Sequence, residues 1–123
     1  MPTTKNFSDR ELACRCCGEN RMSEETLARL QTVRNKFGRA MPVSSAYRCP
    51  KHNAEVSSTG KEGPHTTGQA VDVVISGARA LKLISMALDC GFTGLGVKQH
   101  GETRYLHLDD LTHGIRPHIW SYK

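Results

Sequence analysis

The 123-residue sequence predicts a single α+β domain, residues 1–123, in which a small, mainly antiparallel sheet packs against flanking helices. Two long segments, one opening at Glu24 and one near Ala78, carry apolar residues at helical spacing. Short stretches around Val71 to Ile75 and Tyr105 to Asp109 alternate instead with a period of two. Glycines punctuate the joins between these two kinds of segment, as turns between helix and strand require.

In chain order, Ser8 can cap a short helix running through Glu11 and Leu12. Ser23, followed by Glu24, Glu25 and Thr26, opens an amphipathic helix whose apolar face is Leu27, Leu30, Val33 and Phe37, and Gly38 ends it. Pro42 to Ala46 reads as a strand, and Arg48 to Gly63 as a loop with a helical turn near Asn53 to Val56. Gly68 and the small Ala70 suit a tight turn into a strand that sends Asp72 to the face opposite Val71 and Val73. Ala78 to Cys90 is predicted as another helix, with Ala80, Leu83, Ile84, Ala87 and Leu88 recurring on it and Gly91 closing it. Phe92 to Lys98 is a glycine-interrupted strand. Tyr105 to Asp109 completes the sheet, with Tyr105, His107 and Asp109 on one face and Leu106 and Leu108 on the other.

A chain of this length can bury a core without metal or disulfide staples. The N-terminal Met-Pro-Thr-Thr-Lys lacks the apolar core of a secretory signal, and no segment approaches the roughly 20 apolar residues of a membrane helix. A cytoplasmic product, monomeric and without a transmembrane segment, is therefore expected. Seventeen Lys and Arg against 12 Asp and Glu give a net charge of +5, which favours encounter with anionic polymers, cell wall and nucleic acid alike. The basic residues are spread along the chain without an aromatic-basic motif or a DNA-reading helix, so nucleic acid is not expected as a partner.

The chemistry-bearing residues gather in Gly63-Pro64-His65-Thr66-Thr67-Gly68-Gln69-Ala70-Val71-Asp72 and in Tyr105-Leu106-His107-Leu108-Asp109. An imidazole, a carboxylate and a second imidazole are the ligands of a catalytic zinc, which keeps one position open for water, whereas structural zinc is closed by four ligands dominated by Cys. The pattern points to an open, hydrolytic site. These segments, with the upstream Ser45-Ala46-Tyr47-Arg48-Cys49-Pro50-Lys51-His52-Asn53, resemble the zinc D-Ala-D-Ala carboxypeptidase and murein endopeptidase family. That family includes phage endolysins that cut L-alanyl-D-glutamate bonds and is similar in fold to the hedgehog signalling domain. The resemblance runs from about Phe7 to Trp120.

The resemblance implies one zinc ion held by His65, Asp72 and His107, with Arg48 engaging the substrate carbonyl or carboxylate. It implies peptidoglycan stem peptides as substrate, cut by a D,D-carboxypeptidase or by an endopeptidase such as a phage endolysin, which reaches the wall after release from the host cell. A catalytically idle, zinc-bearing binding module on the same fold is the alternative, and a zinc hydrolase for an unrelated dipeptide or amide is a third. Zinc lowers the pKa of its water from about 15.7 to about 7. A nearby carboxylate can pass that proton to the leaving amine, and the planar guanidinium of Arg48 suits an oxyanion or a carboxylate.

The chain departs from the family pattern at two places. Many relatives have Ser two residues before the first His, where this chain has Gly63, and many have Glu or Asp three residues before the last His, where it has Arg104. Asp109, on the His107 face, is the expected base; its alternative role is to hold His107 in the correct tautomer. Glu102 lies in a loop that could fold back over the metal, while Asp110 should point to the opposite face. Tyr47 and Trp120 are expected either to line the substrate cleft or to form core edges, and Gln69 to support its loop. His52, His100, His113 and His118 read as surface or hydrogen-bonded histidines. The run Cys14, Cys16 and Cys17, with Cys49 and Cys90, raises a structural metal or a disulfide. Read as Cys-x-Cys-Cys it lacks paired Cys-x-x-Cys halves, so ordinary thiols are expected.

Overall fold

A computed structural model describes residues 2–123 and has the expected α+β architecture. In chain order the elements are α1 (Asp9–Leu12), α2 (Glu24–Phe37), β1 (Val43–Ser45), α3 (Pro50–Val56), β2 (Ala70–Val74), α4 (Gly77–Asp89), β3 (Gly94–Lys98), β4 (Tyr105–Asp109) and β5 (His118–Ser121), with a 3-10 turn at Pro64–Thr67. The five strands form one sheet in the order β1-β2-β4-β3-β5. All neighbours are antiparallel except β3 and β5.

Local chemistry explains the helices. The Ser23 hydroxyl accepts the Thr26 N–H at 3.2 Å, satisfying a free donor of the first turn of α2, and Gly38 ends the helix in the left-handed region at φ 70°. Leu27, Leu30, Val33 and Phe37 of α2 share one core with Ala80, Leu83 and Ala87 of α4 and with Val71, Val73, Leu106 and Leu108 of the sheet. The buried stripe of α4 is narrower than its apolar spacing predicts, because Leu88 is 53% exposed. Helix α3 starts earlier than the expected turn near Asn53. Pro50 is pre-organised for the first helical position, and the Cys49 thiol accepts the His52 N–H at 3.5 Å.

Strand β5 is not evident in the sequence. Its residues are mostly exposed, so they show no buried alternation, and its parallel partner β3 lies far back along the chain. Among the described residues no helix is long and apolar enough to cross a membrane.

Strand register positions the chemistry. Ser45 pairs with Asp72, Asp72 with His107, His107 with Gly96 and Gly96 with Trp120, one transverse row across all five strands. The next row runs Ala70, Asp109, Gly94 and His118. Side chains alternate across a sheet, so Asp72 and His107 stand together on the face opposite Val71, Val73, Leu106 and Leu108. The glycines of β3 leave room in these rows. A Cβ at Gly96 would come within 2.7 Å of the Trp120 indole nitrogen, and one at Gly94 would strike the Asp109 carboxylate.

Candidate metal centre

His65 reaches the centre from the 3-10 turn, which Gly68 ends at φ 76°. Glycine is required there twice over, since any side chain would also collide with the Arg21 carbonyl oxygen. His65 Nε2 and His107 Nδ1 each lie 3.2 Å from Asp72 Oδ1. One ligand atom from each of the three residues falls within 4.8 Å of the other two, and all three side chains are buried.

The hydrogen bonds behind these atoms fix their protonation. His65 Nδ1 is 2.7 Å from the Ala46 carbonyl, which can only accept, so Nδ1 carries the proton and Nε2 presents a lone pair. His107 Nε2 is 2.7 Å from Asp109 Oδ2, so in the neutral ring Nδ1 is the bare nitrogen. Two lone pairs and a carboxylate oxygen then face one another in a buried space. Such a set needs positive charge between its members, a proton or a metal cation. Burial pushes the Asp72 carboxyl up, but hydrogen bonds from His107 and His65 outweigh it and hold the group well below the usual carboxylate range. Burial pushes His107 down, and its bonds to Asp109 and Asp72 outweigh that and raise it. The donor set fits a divalent metal.

Arg48 braces the other side of Asp72. Its Nη2 donates to Asp72 Oδ2 at 3.4 Å, Nε to Ser45 Oγ at 3.0 Å and Nη1 to Asn53 Oδ1 at 3.1 Å. Asp72 thus keeps Oδ1 facing the two imidazoles while Oδ2 is occupied. Asn53 is itself held by the Thr59 hydroxyl and the Gly60 carbonyl through its Nδ2. A Cβ at Gly63 would meet that Thr59 side chain, so the 57–60 loop packs where a larger residue would stand.

Asp109 sits beyond His107, away from the metal position. Its Oδ2 accepts from His107 Nε2, and Arg116 clamps both oxygens, Nε to Oδ1 at 2.9 Å and Nη2 to Oδ2 at 2.8 Å. The carboxylate is 0% exposed. Burial raises it, but Arg116 and His107 outweigh burial and bring its pKa down to about 2. The Arg116 guanidinium lies 5.1 Å from the centre of the Trp120 ring, and Trp120 lies 5.0 Å from His107.

A cleft of about 580 Å³ opens over the centre, walled by Arg48, Tyr105, Arg116, His118, Trp120 and Tyr122. Asp72 is the sole acidic side chain among its lining residues. Tyr47 does not line it; this ring is buried in the core, where an aromatic body gains most. Glu102 is exposed and borders another groove of about 630 Å³ with Arg39, Arg79 and Arg104, which includes none of the three ligand residues. Asp110 turns to Thr26, Arg29 and Gln69, the last at 3.3 Å, so Gln69 supports the loop. His52, His100 and His113 stand outside the cleft lining, whereas His118 is part of it.

Sequence reasoning missed Arg116, Asn53, Ser45, His118 and Tyr122 as parts of this site. Asn53 had a usable signal, since it closes the Arg48 to Asn53 motif and is an amide at a position where the helix turns inward. Arg116 had none, because Gly114-Ile115-Arg116-Pro117 reads only as a loop.

An α+β domain that holds two imidazoles and a carboxylate at the floor of a cleft has the build of a metal-dependent hydrolase. The chain matches the family model described as Peptidase M15 over residues 5–109, a span that includes His65, Asp72 and His107, and it belongs to that family of metal-dependent peptidases. No curated protein matches the chain.

Proposed function

We propose that the protein is a zinc peptidase that hydrolyses peptide bonds in peptidoglycan stem peptides, as a D,D-carboxypeptidase or an L-alanyl-D-glutamate endopeptidase. The observation that carries this reading is the convergence of His65 Nε2 and His107 Nδ1 on Asp72 Oδ1, with an acceptor behind the other nitrogen of each ring. His65, Asp72 and His107 would hold one zinc, which when bound supplies a Lewis acid and hydroxide at neutral pH. Arg48 spends three of its five N–H donors on Ser45, Asn53 and Asp72, and the remaining two can take a substrate carbonyl or carboxylate. Arg116, paired with Asp109, and Lys123 place further cationic groups in the cleft lining, which suits the carboxylates of stem peptides. Trp120 offers the peptide an apolar wall. The geometry favours Asp109 as the residue that orients His107 rather than as the base, because its carboxylate faces the nitrogen turned away from the metal position. Such an enzyme, whether phage or bacterial, meets its substrate only once it reaches the wall.

That arrangement also supports the second reading, an idle zinc-bearing module, since no acid other than Asp72 lines the cleft. Mass spectrometry of purified muropeptides after incubation with the zinc-loaded protein separates the two. Loss of a terminal D-alanine identifies the carboxypeptidase, and scission after L-alanine the endopeptidase. Unchanged muropeptides with full zinc occupancy would overturn the peptidase reading in favour of the module.

A further inference from the structure

We propose that Cys14, Cys17 and Cys49 form a second metal site, suited to a soft divalent cation such as zinc, which ties the N-terminal segment to the loop carrying Arg48. The three sulfurs lie within 4.8 Å of one another although Cys49 is 35 residues from Cys14. Cys14-Arg15-Cys16-Cys17-Gly18 contains a Cys-x-x-Cys pair, Cys14 with Cys17, which reading the run as Cys-x-Cys-Cys conceals. The pair is bent into one turn: the Gly18 N–H donates to the Cys14 carbonyl at 2.9 Å, and Gly18 takes φ 76°, a value that favours glycine.

Backbone donors prepare two of the three sulfurs, those of Cys14 and Cys49, for negative charge. The Cys49 N–H donates to Cys14 Sγ at 3.3 Å, and the His52 N–H to Cys49 Sγ at 3.5 Å. Thiolates, not thiols, ligate metals, so binding three of them releases three protons and leaves one net negative charge with a divalent cation. Cys16, exposed and adjacent in sequence to Cys17, lies outside this group, so a solvent molecule or Cys16 would have to complete a fourth position. Sulfur ligation approaching four is the pattern of a structural zinc. The site shares no residue with His65, Asp72 and His107, so it stands or falls independently of the peptidase reading.

The test uses the full chain, purified under reducing conditions, saturated with zinc and dialysed. Elemental analysis should find two zinc ions per chain in the wild type, and one in Cys49→Ser, in Cys17→Ser and in His65→Ala. Cobalt(II) substitution should give a thiolate-to-metal charge-transfer band that survives His65→Ala and disappears in Cys49→Ser. Cys17 is exposed, so Cys17→Ser keeps the test valid if Cys49→Ser fails to fold. A cobalt-loaded wild type without the thiolate band would overturn the proposal. So would an intact mass two hydrogens light in reducing-agent-free buffer, with the bond mapped to two of these cysteines and no metal retained.

Discussion

His65, Asp72 and His107 are fixed by strand register and by a hydrogen-bonded partner behind each side chain, whereas Cys14, Cys17 and Cys49 are gathered by a turn and a loop, with Cys17 open to solvent. In the first cluster no ligand can rotate without breaking a bond to Ala46, Arg48 or Asp109. The donors are borderline in softness and count three, which leaves a coordination position free. In the second, backbone N–H groups steady two of the sulfurs, and the ligands come from two distant stretches of chain. Rigid support with an open position suits chemistry; soft ligands that bridge loops suit tethering.

The sharpest way to break this comparison is to remove a ligand from the rigid cluster. His107→Ala or His65→Ala should abolish peptidase activity and lose the metal of that centre, because two remaining ligands hold it far more weakly. Elemental analysis beside an activity assay checks both. Full occupancy of that centre in both variants would undo the ligand assignment.

Asp109→Asn comes next. If the carboxylate orients His107, its loss should weaken metal affinity by about ten- to a hundredfold, and excess metal should restore most of the turnover. If it is instead the proton shuttle, metal should stay bound while turnover falls by roughly two to four orders of magnitude. A zinc titration followed by assay at saturation distinguishes them. Glu102→Gln, from the exposed turn, should change neither readout.

A smaller effect is expected from Arg48→Lys. Lysine keeps the charge but cannot hold Ser45, Asn53 and Asp72 together from one planar group, so activity should fall about tenfold or more, with the fold and most of the metal retained. Circular dichroism and metal analysis serve as controls for the rate measurement.

The gentlest probe is pH. In the metal-free protein the His107 pKa is raised above its ordinary 6.5, so the protonated ring stabilises the fold fully below about that pH. This contribution is lost as pH rises through the raised value. The Tm of metal-free protein should therefore decline on the alkaline side of 6.5, while zinc-loaded protein, in which the cation takes the proton's place beside Asp72, should show no such decline. Asp109 contributes with the opposite sign: its stabilisation is present above the ordinary carboxylate value of 3.8 and is lost as pH falls through about 2. Thermal melts across pH, with and without zinc, report both.

Local signals made much of this architecture legible. Ser23 and Gly38 bracket α2 because a hydroxyl cap and a left-handed residue act within one turn. The alternation from Tyr105 to Asp109 placed Leu106 and Leu108 in the core for the same reason. What escaped depends on distance along the chain. Strand β5 is defined by pairing with β3, not by its own pattern, and the direction of the Asp109 carboxylate is decided by Arg116 from a featureless loop. Period two could place Asp109 on the His107 face; it could not say which nitrogen of His107 the carboxylate would meet. The cysteine cluster needed Cys49 brought beside the turn, and no spacing rule supplies that.

The match to the peptidase family ends at residue 109, and the wall formed by Arg116, His118, Trp120 and Tyr122 comes after it. The floor of the cleft and one of its walls therefore come from successive stretches of one chain, joined at a seam where β5 hydrogen-bonds to β3 alone. The later stretch is coupled to the earlier one through the clamp that Arg116 places on Asp109, so a change in the final segment is felt at the His107 ring through that one carboxylate.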